Sequence, residues 1–292
     1  MKISILLVIS FIQSFLILNV YSQNENVSKV EIQNEDISIS AVKNINLDTG
    51  SEGKVLYKGK EVATKEASQR TATIVIAASN ASEKAKAGAD YVCVGMNDQE
   101  MILNAIYSLP EIGGKIQLTE GTFSFSDRLI DLDRPINGLT ICGMGASTIL
   151  KKDGDNGDAV IFPRGSDVLL CDFTVDCNNK NTNGVKCYNV DRINSTVQNI
   201  KIINVHSEAY GIYLQNSYSK VLNCTIDGGG YGIYAMKGGL KNCIISNNIV
   251  MNSTYGSIRI DSRGSLVTNN LISSSIRDDG NNNVINNYMV TK

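Results

Sequence analysis

The chain has 292 residues and a formal net charge of −2, with 19 % of its residues charged against about 25 % in an ordinary soluble protein. A near-neutral balance excludes the broad basic field that nucleic-acid binding requires, so no nucleic-acid partner is expected. Tryptophan is absent and there are only 3 Pro, while Asn, Ser, Gly and Ile are conspicuous.

At the N-terminus Lys2 precedes an apolar run over 3–20, broken only by Ser10, Gln13, Ser14 and Asn19. Val20-Tyr21-Ser22 supplies small or branched residues at the −3 and −1 positions of a cleavage site after Ser22. Residues 1–22 therefore read as a secretory signal peptide. The alternative is an uncleaved anchor, since the run is about long enough to span a bilayer. No other segment reads as membrane-spanning, so no membrane contact is expected after cleavage. Five Asn-x-Ser/Thr triplets, at Asn26, Asn80, Asn194, Asn223 and Asn252, agree with export. The expected address is secreted or cell-surface.

Residues 23–72 are polar, with one strand-turn-strand pattern turning at Lys58-Gly59. From residue 73 a β-rich body is expected to run to 292. Within it, Met101, Ile102, Ala105, Ile106 and Leu109 recur at helical spacing, which predicts a capping helix over about 97–109 with Asn97 or Asp98 as N-cap. Pro110 and Gly113-Gly114 stop it. Short strands are expected at 115–118, 129–132, 139–141 and 148–150.

A repeat begins near residue 157. Gly157, Gly184, Gly211, Gly232, Gly256 and Gly280 each open a short apolar-alternating segment. Their separations, about 20–30 residues, are those of a solenoid. The short alternating runs are strands, not helices. A second marker recurs as Asp172, Asn204, Asn223, Asn248, Asn270 and Asn287. Asn tolerates the left-handed backbone, and stacked Asn turns can bond from coil to coil. The residues that follow, Phe173, Val205, Cys224, Ile249, Leu271 and Tyr288, are expected to point inward. A longer loop is expected over 176–197. The fold class is therefore all-β: a right-handed parallel β-helix solenoid with an N-terminal capping helix. No cap is legible at the C-terminal end: either a neighbour in a homo-oligomer covers that end, or the solenoid is a shortened one.

Seven Cys leave at least one thiol unpaired in a monomer. Cys171, Cys187, Cys224 and Cys243 sit inside apolar strand patterns and read as small core hydrophobes rather than a disulfide framework. No Cys-x-x-Cys motif or Cys/His cluster is present, so no metal site is predicted.

Several blocks carry a family resemblance: Ala89-Asp-Tyr-Val-Cys, Asn97-Asp-Gln, Leu109-Pro, Gly113-Gly-Lys-Ile-Gln-Leu, Glu120-Gly-Thr-Phe and Gly143-Met-Gly. Together they resemble the opening of pectate-lyase-superfamily β-helix proteins, over residues 89–292. The stretch from Gly53 to Val62 is similar to attachment segments of phage tail and fibre β-helices. The superfamily resemblance implies a polysaccharide or surface-glycan partner, engaged along one groove of the helix. For a lyase it implies Asp-bound calcium and an Arg or Lys base. For a hydrolase it implies Asn-Thr-Asp, Asp-Asp, Gly-His-Gly and Arg-Ile-Lys motifs. The hydrolase set is not matched: His206 lacks flanking glycines, Arg259-Ile260 is followed by Asp261, and Asn181-Thr182 by Asn183. Asp278-Asp279 falls in the last connecting loop.

The coils align on Val185, Ile212, Ile233 and Ile258 as inward residues. Lys186, Tyr213, Tyr234 and Arg259 then form one outward column, and Tyr188, Gln215, Met236 and Asp261 the next. Tyrosines beside polar and charged groups suit sugars, whose C–H faces pack on rings while hydroxyls find hydrogen bonds. The expected ligand-binding set is Lys186, Tyr188, Tyr213, Gln215, Tyr234, Arg259 and Asp261. The alternative is a solvated sheet face that uses Tyr for its strand propensity. Asp227, Arg259 and Asp261 are the candidates for catalysis, with no carboxylate pair placed at a glycosidase separation. No cofactor is expected unless a lyase brings calcium. Glycan binding is the leading reading. A divergent polysaccharide lyase or glycoside hydrolase, and a structural fibre or tail-spike-like component, are the alternatives.

Overall fold

A computed structural model of the chain divides into two compact units, Met1–Ser68 and Gln69–Lys292. Residues 72–128, 136–155, 157–187, 193–236 and 241–290 are described in full. In the first unit only strand backbone is described, as three antiparallel pairs, the last joining Leu56–Tyr57 to Lys60–Glu61. The leader and cleavage site expected within 1–22 have no described side chains, and the strand expected at 129–132 lies outside the described residues.

The second unit is a parallel solenoid. Each coil visits three sheets in turn, and each strand pairs with the equivalent strand one coil away. Sheet I holds ten strands, ending on Asn283–Ile285 at one side and Tyr91–Val92 at the other. Sheet II has eight strands, from Gly121–Phe125 to Tyr288–Met289. Sheet III has six, from Ala159–Ile161 to Ile276–Asp278. The interior is one continuous stack of Ile, Val, Leu and Phe, among them Ile116, Leu150, Val175, Ile202, Ile226 and Val250, all fully buried. Parallel strands buried from inside in this way gain their stability from stacked apolar contact with the next coil.

Turning three corners per coil requires residues that accept positive φ. At the corner from sheet I to sheet II these are Asp172, Asn199, Asn223, Asn247, Asn269 and Asn286, with φ between 53° and 61°. At the corner from sheet III to sheet I they are Asp167, Asn194, Tyr218, Asn242, Gly264 and Asn281. Short polar side chains tolerate this region because they bond the local backbone. The Asn richness of the composition is thus spent at corners.

The marker alignment needs two corrections. Asn204 stands at the far end of a sheet II strand, and the corner from sheet I to sheet II in that coil is turned by Asn199. In the last three coils the left-handed residue is Asn247, Asn269 or Asn286, one position earlier than expected. The inward position is then taken by Asn248, Asn270 and Asn287 themselves. Ile249, Leu271 and Tyr288 accordingly point out, at 40 %, 38 % and 63 % exposure. In the earlier coils Phe173 and Cys224 do fill the same inward column, as expected. Three apolar positions (Phe173, Ile200, Cys224) are therefore continued by a buried amide ladder. Asn270 Oδ1 accepts from Asn248 N and Nδ2 at 3.0 and 2.9 Å. Asn270 Nδ2 donates to Ile245 O at 3.0 Å and Asn287 Oδ1 at 2.8 Å.

The glycine repeat is also partly out of phase. Gly184, Gly211 and Gly232 share one register position in sheet III, but Ser257 occupies it in the following coil. Gly280 lies beyond the last sheet III strand. A Cβ on Gly211 would sit 2.4 Å from Ile226 Cγ2, and one on Gly232 would sit 2.2 Å from Val250 Cγ1. Glycine lets the corner close against the branched residues of sheet II.

At the N-terminal end, α1 (Glu83–Gly88) and α2 (Asp98–Tyr107) cover the first coils. α2 is the expected capping helix, and Ile102, Ala105 and Ile106 are its fully buried face. Asn97 occupies the N-cap position with φ 55° but makes no side-chain cap bond. Asp98, the first helical residue, instead ties the helix start to its surroundings, accepting from Gly95 N and Ser124 N, both at 2.9 Å. α1 was not foreseen; Ser82 caps it through Ala85 N.

The ladder gives a direct test. Asn270→Ala strips hydrogen-bond partners from Asn248, Ile245 and Asn287 in a buried place. We expect a loss of about 3 kcal/mol, read as a lower urea midpoint at unchanged slope.

Candidate functional site

Sheet III carries the face that the sequence singled out. Strand pairing puts Lys186, Tyr213, Tyr234, Arg259 and Arg277 in one outward column along the solenoid axis. Gln215, Met236 and Asp261 follow two positions on. Tyr188 lies outside the described residues. Two more tyrosines, Tyr210 and Tyr231, pair beside this column, and Tyr255 stands at the corner, 59 % exposed.

The aromatic rings form one cluster. Tyr213 and Tyr234 lie 5.4 Å apart at 33°. Tyr210 packs against Tyr213 at 5.3 Å and edge-on against Tyr234 at 5.1 Å. Tyr231 bridges Tyr234 and Tyr255, at 6.0 Å from each. Cations close both ends. Arg259 lies 4.9 Å from the Tyr234 ring centre. Lys186 lies 5.0 Å over Phe162 and 5.7 Å over Tyr213. Such pairs are each worth about 0.5–1 kcal/mol at exposed sites. Tyr231 and Tyr234 are only 8 % exposed, because their neighbours cover their faces. The face therefore offers ring rims, phenol oxygens and charged groups to solvent rather than a row of open rings.

Charge is tightly matched. Arg259 Nε and Nη2 each donate to Asp261 at 3.0 Å, and Tyr234 Oη donates to the same carboxylate at 2.9 Å. Burial first, and then this bond, push the Tyr234 hydroxyl well above its ordinary range, so it remains a donor. The Asp261 hydrogen bond raises Arg259 further. Arg277 Nε pairs with Asp279 at 2.8 Å, and Arg259 Nη2 reaches the same carboxylate at 3.7 Å. Lys186 and Arg128 both pair with Asp158.

Of the candidates for catalysis, Arg259 and Asp261 come together and Asp227 does not join them. Asp227 lies on sheet II, where its Oδ1 accepts from Asn252 Nδ2 at 2.8 Å. Asp172 and Asp176 are likewise held by corner asparagines, Asn199 and Asn204. Gln215 contacts Met236 through its amide nitrogen. Sequence reasoning missed Tyr210, Tyr231, Phe162 and Asp158. The signal for the first two was present: Tyr-Gly-Ile-Tyr occurs at 210–213 and again at 231–234.

The cysteines divide into two groups. Cys142 and Cys171 face each other across adjacent coils and form a disulfide, which corrects the reading of Cys171 as an isolated core hydrophobe. It closes a separation of 29 residues, worth about 3 kcal/mol in unfolded-state entropy. Asp172 stands beside it, with the three potential ligand atoms within 4.8 Å of one another. Cys93, Cys177, Cys187, Cys224 and Cys243 are free and buried, the last three as expected in the case of Cys187, Cys224 and Cys243. Burial pushes the thiols of Cys93, Cys187 and Cys224 up to about 12 and that of Cys243 to about 11. His206 stands apart, its Nδ1 accepting from Glu208 N at 3.2 Å. A thiol-reactive aromatic disulfide should thus modify no cysteine of the native protein promptly. After unfolding it should count five thiols, and seven once the protein is reduced.

Residues 147–291 match the family model described as "Periplasmic copper-binding protein (NosD)". No curated protein matches the chain. Among solved structures, the chain is similar to ORF18 of Geobacillus virus E2, at 14 % identity and a TM-score of 0.49. That similarity covers 83 % of this chain and 48 % of the virus protein, so the chain spans about half of that neighbour's length. Among the described residues, no helix is long and apolar enough to cross a membrane.

Proposed function

Taking the chain as a right-handed parallel β-helix repeat protein of the pectate-lyase type, we propose that it works outside the cytoplasm as a glycan-binding protein, with sheet III as its binding face. One observation carries this reading: sheet III stacks Tyr213 and Tyr234 in one outward column with Lys186, Arg259 and Arg277, with Tyr210 and Tyr231 paired beside them and Tyr255 exposed at the corner. A linear saccharide laid along the solenoid axis would meet ring rims, phenol oxygens and charged groups in turn from coil to coil. Repetition lets many weak contacts add up without any deep pocket.

The extracytoplasmic address is supported by three features. They are the apolar run after Lys2, the Cys142–Cys171 bridge, and the periplasmic description of the matched family. Binding is favoured over cleavage because Asp261 is committed. It already accepts three hydrogen bonds, and its side chain is 6 % exposed. A carboxylate so held has little free edge to offer a glycosidic oxygen.

Copper is the second ligand to consider, because the matched family's description names it. Copper sites draw on thiolate, thioether or imidazole donors. All seven Cys and the single His of the chain are among the described residues. Cys142 and Cys171 are consumed by their bridge, the free thiols are buried and held protonated, and His206 belongs to no group of three His, Cys, Asp or Glu ligands among the described residues. The cysteines and the histidine do not supply a copper site while the bridge is closed. The oxidised protein, equilibrated with copper and desalted, should retain no stoichiometric metal by atomic absorption. One equivalent retained would reveal a ligand set of another kind.

Affinity electrophoresis through a polysaccharide panel tests the main reading. The protein should be retarded by at least one glycan while the polymer keeps its length. Tyr255→Ala and Arg277→Ala, both at exposed positions, should each weaken retention about three- to tenfold, the effect of losing one contact of roughly 1 kcal/mol. Shortened polymer would favour a lyase or hydrolase instead.

A further inference from the structure

We propose that the sheet III face selects neutral, hydroxyl-rich glycans over polyanionic ones; this rests on the glycan-binding reading above. The argument is a charge inventory of the face. Among the described residues, the ion pairs on it join the cations Arg128, Lys186, Arg259 and Arg277 to the carboxylates Asp158, Asp261 and Asp279. Arg128 and Lys186 share Asp158, Arg259 is held by Asp261, and Arg277 by Asp279. These seven groups sum to a single positive charge.

A uronate or sulfated chain gains its affinity from cations that lack an internal partner. Here an incoming carboxylate would have to displace Asp261 from a bidentate guanidinium and from the Tyr234 hydroxyl. It would also approach three fixed carboxylates of its own sign. Like-charge contact and the loss of an existing charge-assisted pair both oppose that exchange.

A sugar hydroxyl faces no such conflict. It donates to a carboxylate lone pair and accepts from a guanidinium N–H in the same geometry, without altering the charge of either. An arginine locked to an aspartate is a fixed donor-acceptor edge that suits vicinal hydroxyls. The tyrosine cluster holds those edges in place, since Arg259 rests on Tyr234 and Tyr231 at 4.9 and 5.7 Å. Binding to a neutral polymer should consequently be insensitive to salt, because few counterions are released and little screened attraction is involved.

The experiment is affinity electrophoresis of the full chain in gels holding a neutral polymer (glucan, mannan or xylan) or an acidic one (polygalacturonate or alginate), at low and high salt. Retardation by a neutral polymer, equal at both salts, with none by the acidic polymers, is the expected result. Two variants sharpen it. Asp279→Asn, at an exposed carboxylate, and Asp261→Asn each release a guanidinium. Both should gain affinity for polygalacturonate by about tenfold, in a salt-sensitive manner. The exposed variant keeps the test valid if Asp261→Asn fails to fold. Retardation of the native protein by acidic polymers alone, lost at high salt, would overturn the neutral selectivity and leave glycan binding standing. Absence of retardation by every polymer would overturn both.

Discussion

Everything in this solenoid depends on turning a corner without breaking the stack. Strands of two to five residues cannot bury an apolar side unless the chain bends sharply and re-enters pairing one coil on. Each bend needs a residue in the left-handed region, where a β-branched or bulky side chain is strained. Asn and Asp fill most of those sites, and Gly fills Gly264 and Gly228. With the corners fixed, strand register follows, and register alone brings Lys186, Tyr213, Tyr234, Arg259 and Arg277 into one line.

The corners also explain which parts of the fold could be read in the sequence. Inward residues of sheet III were legible because Val185, Ile212, Ile233 and Ile258 share an alternating pattern that only one phase satisfies. The Asn marker was legible as a corner but not in its phase. Doubled residues such as Asn247-Asn248 and Asn269-Asn270 offer two candidates for one left-handed site, and the wrong choice turns Ile249 and Leu271 from outside to inside. Nothing local predicts that an amide will be buried, since its cost is cancelled only by partners on the neighbouring coils. Lys152 is a similar case. It stands beside Lys151 in sequence, yet its side chain is fully buried and its ammonium donates to Ser126 O at 3.2 Å.

The site was half legible for a related reason. Outward columns can be derived from register, so the line from Lys186 to Arg259 was accessible. Ion pairs between columns and the tilt of rings are not, because they depend on side-chain conformation across coils. The sequence therefore suggested open tyrosines, whereas Tyr234 is mostly covered by its neighbours. Asp227 failed as a partner of Arg259 through topology: it lies on sheet II of the preceding coil, in register with Met251, and not on sheet III.

The Cys142–Cys171 bridge sits near the capped end, joining the coils that follow α2. Beyond it, the described residues of later coils are tied to one another by non-covalent contacts: backbone pairing, apolar stacking, the amide ladder and the side-chain bonds of the corners and of sheet III. The molecule thus has a mechanical polarity. Tension applied at the C-terminus would peel strands off one coil at a time, each release exposing the next edge. That progressive unravelling would halt at the covalent staple, leaving a protected stub that can serve as the template on which the coils rewind.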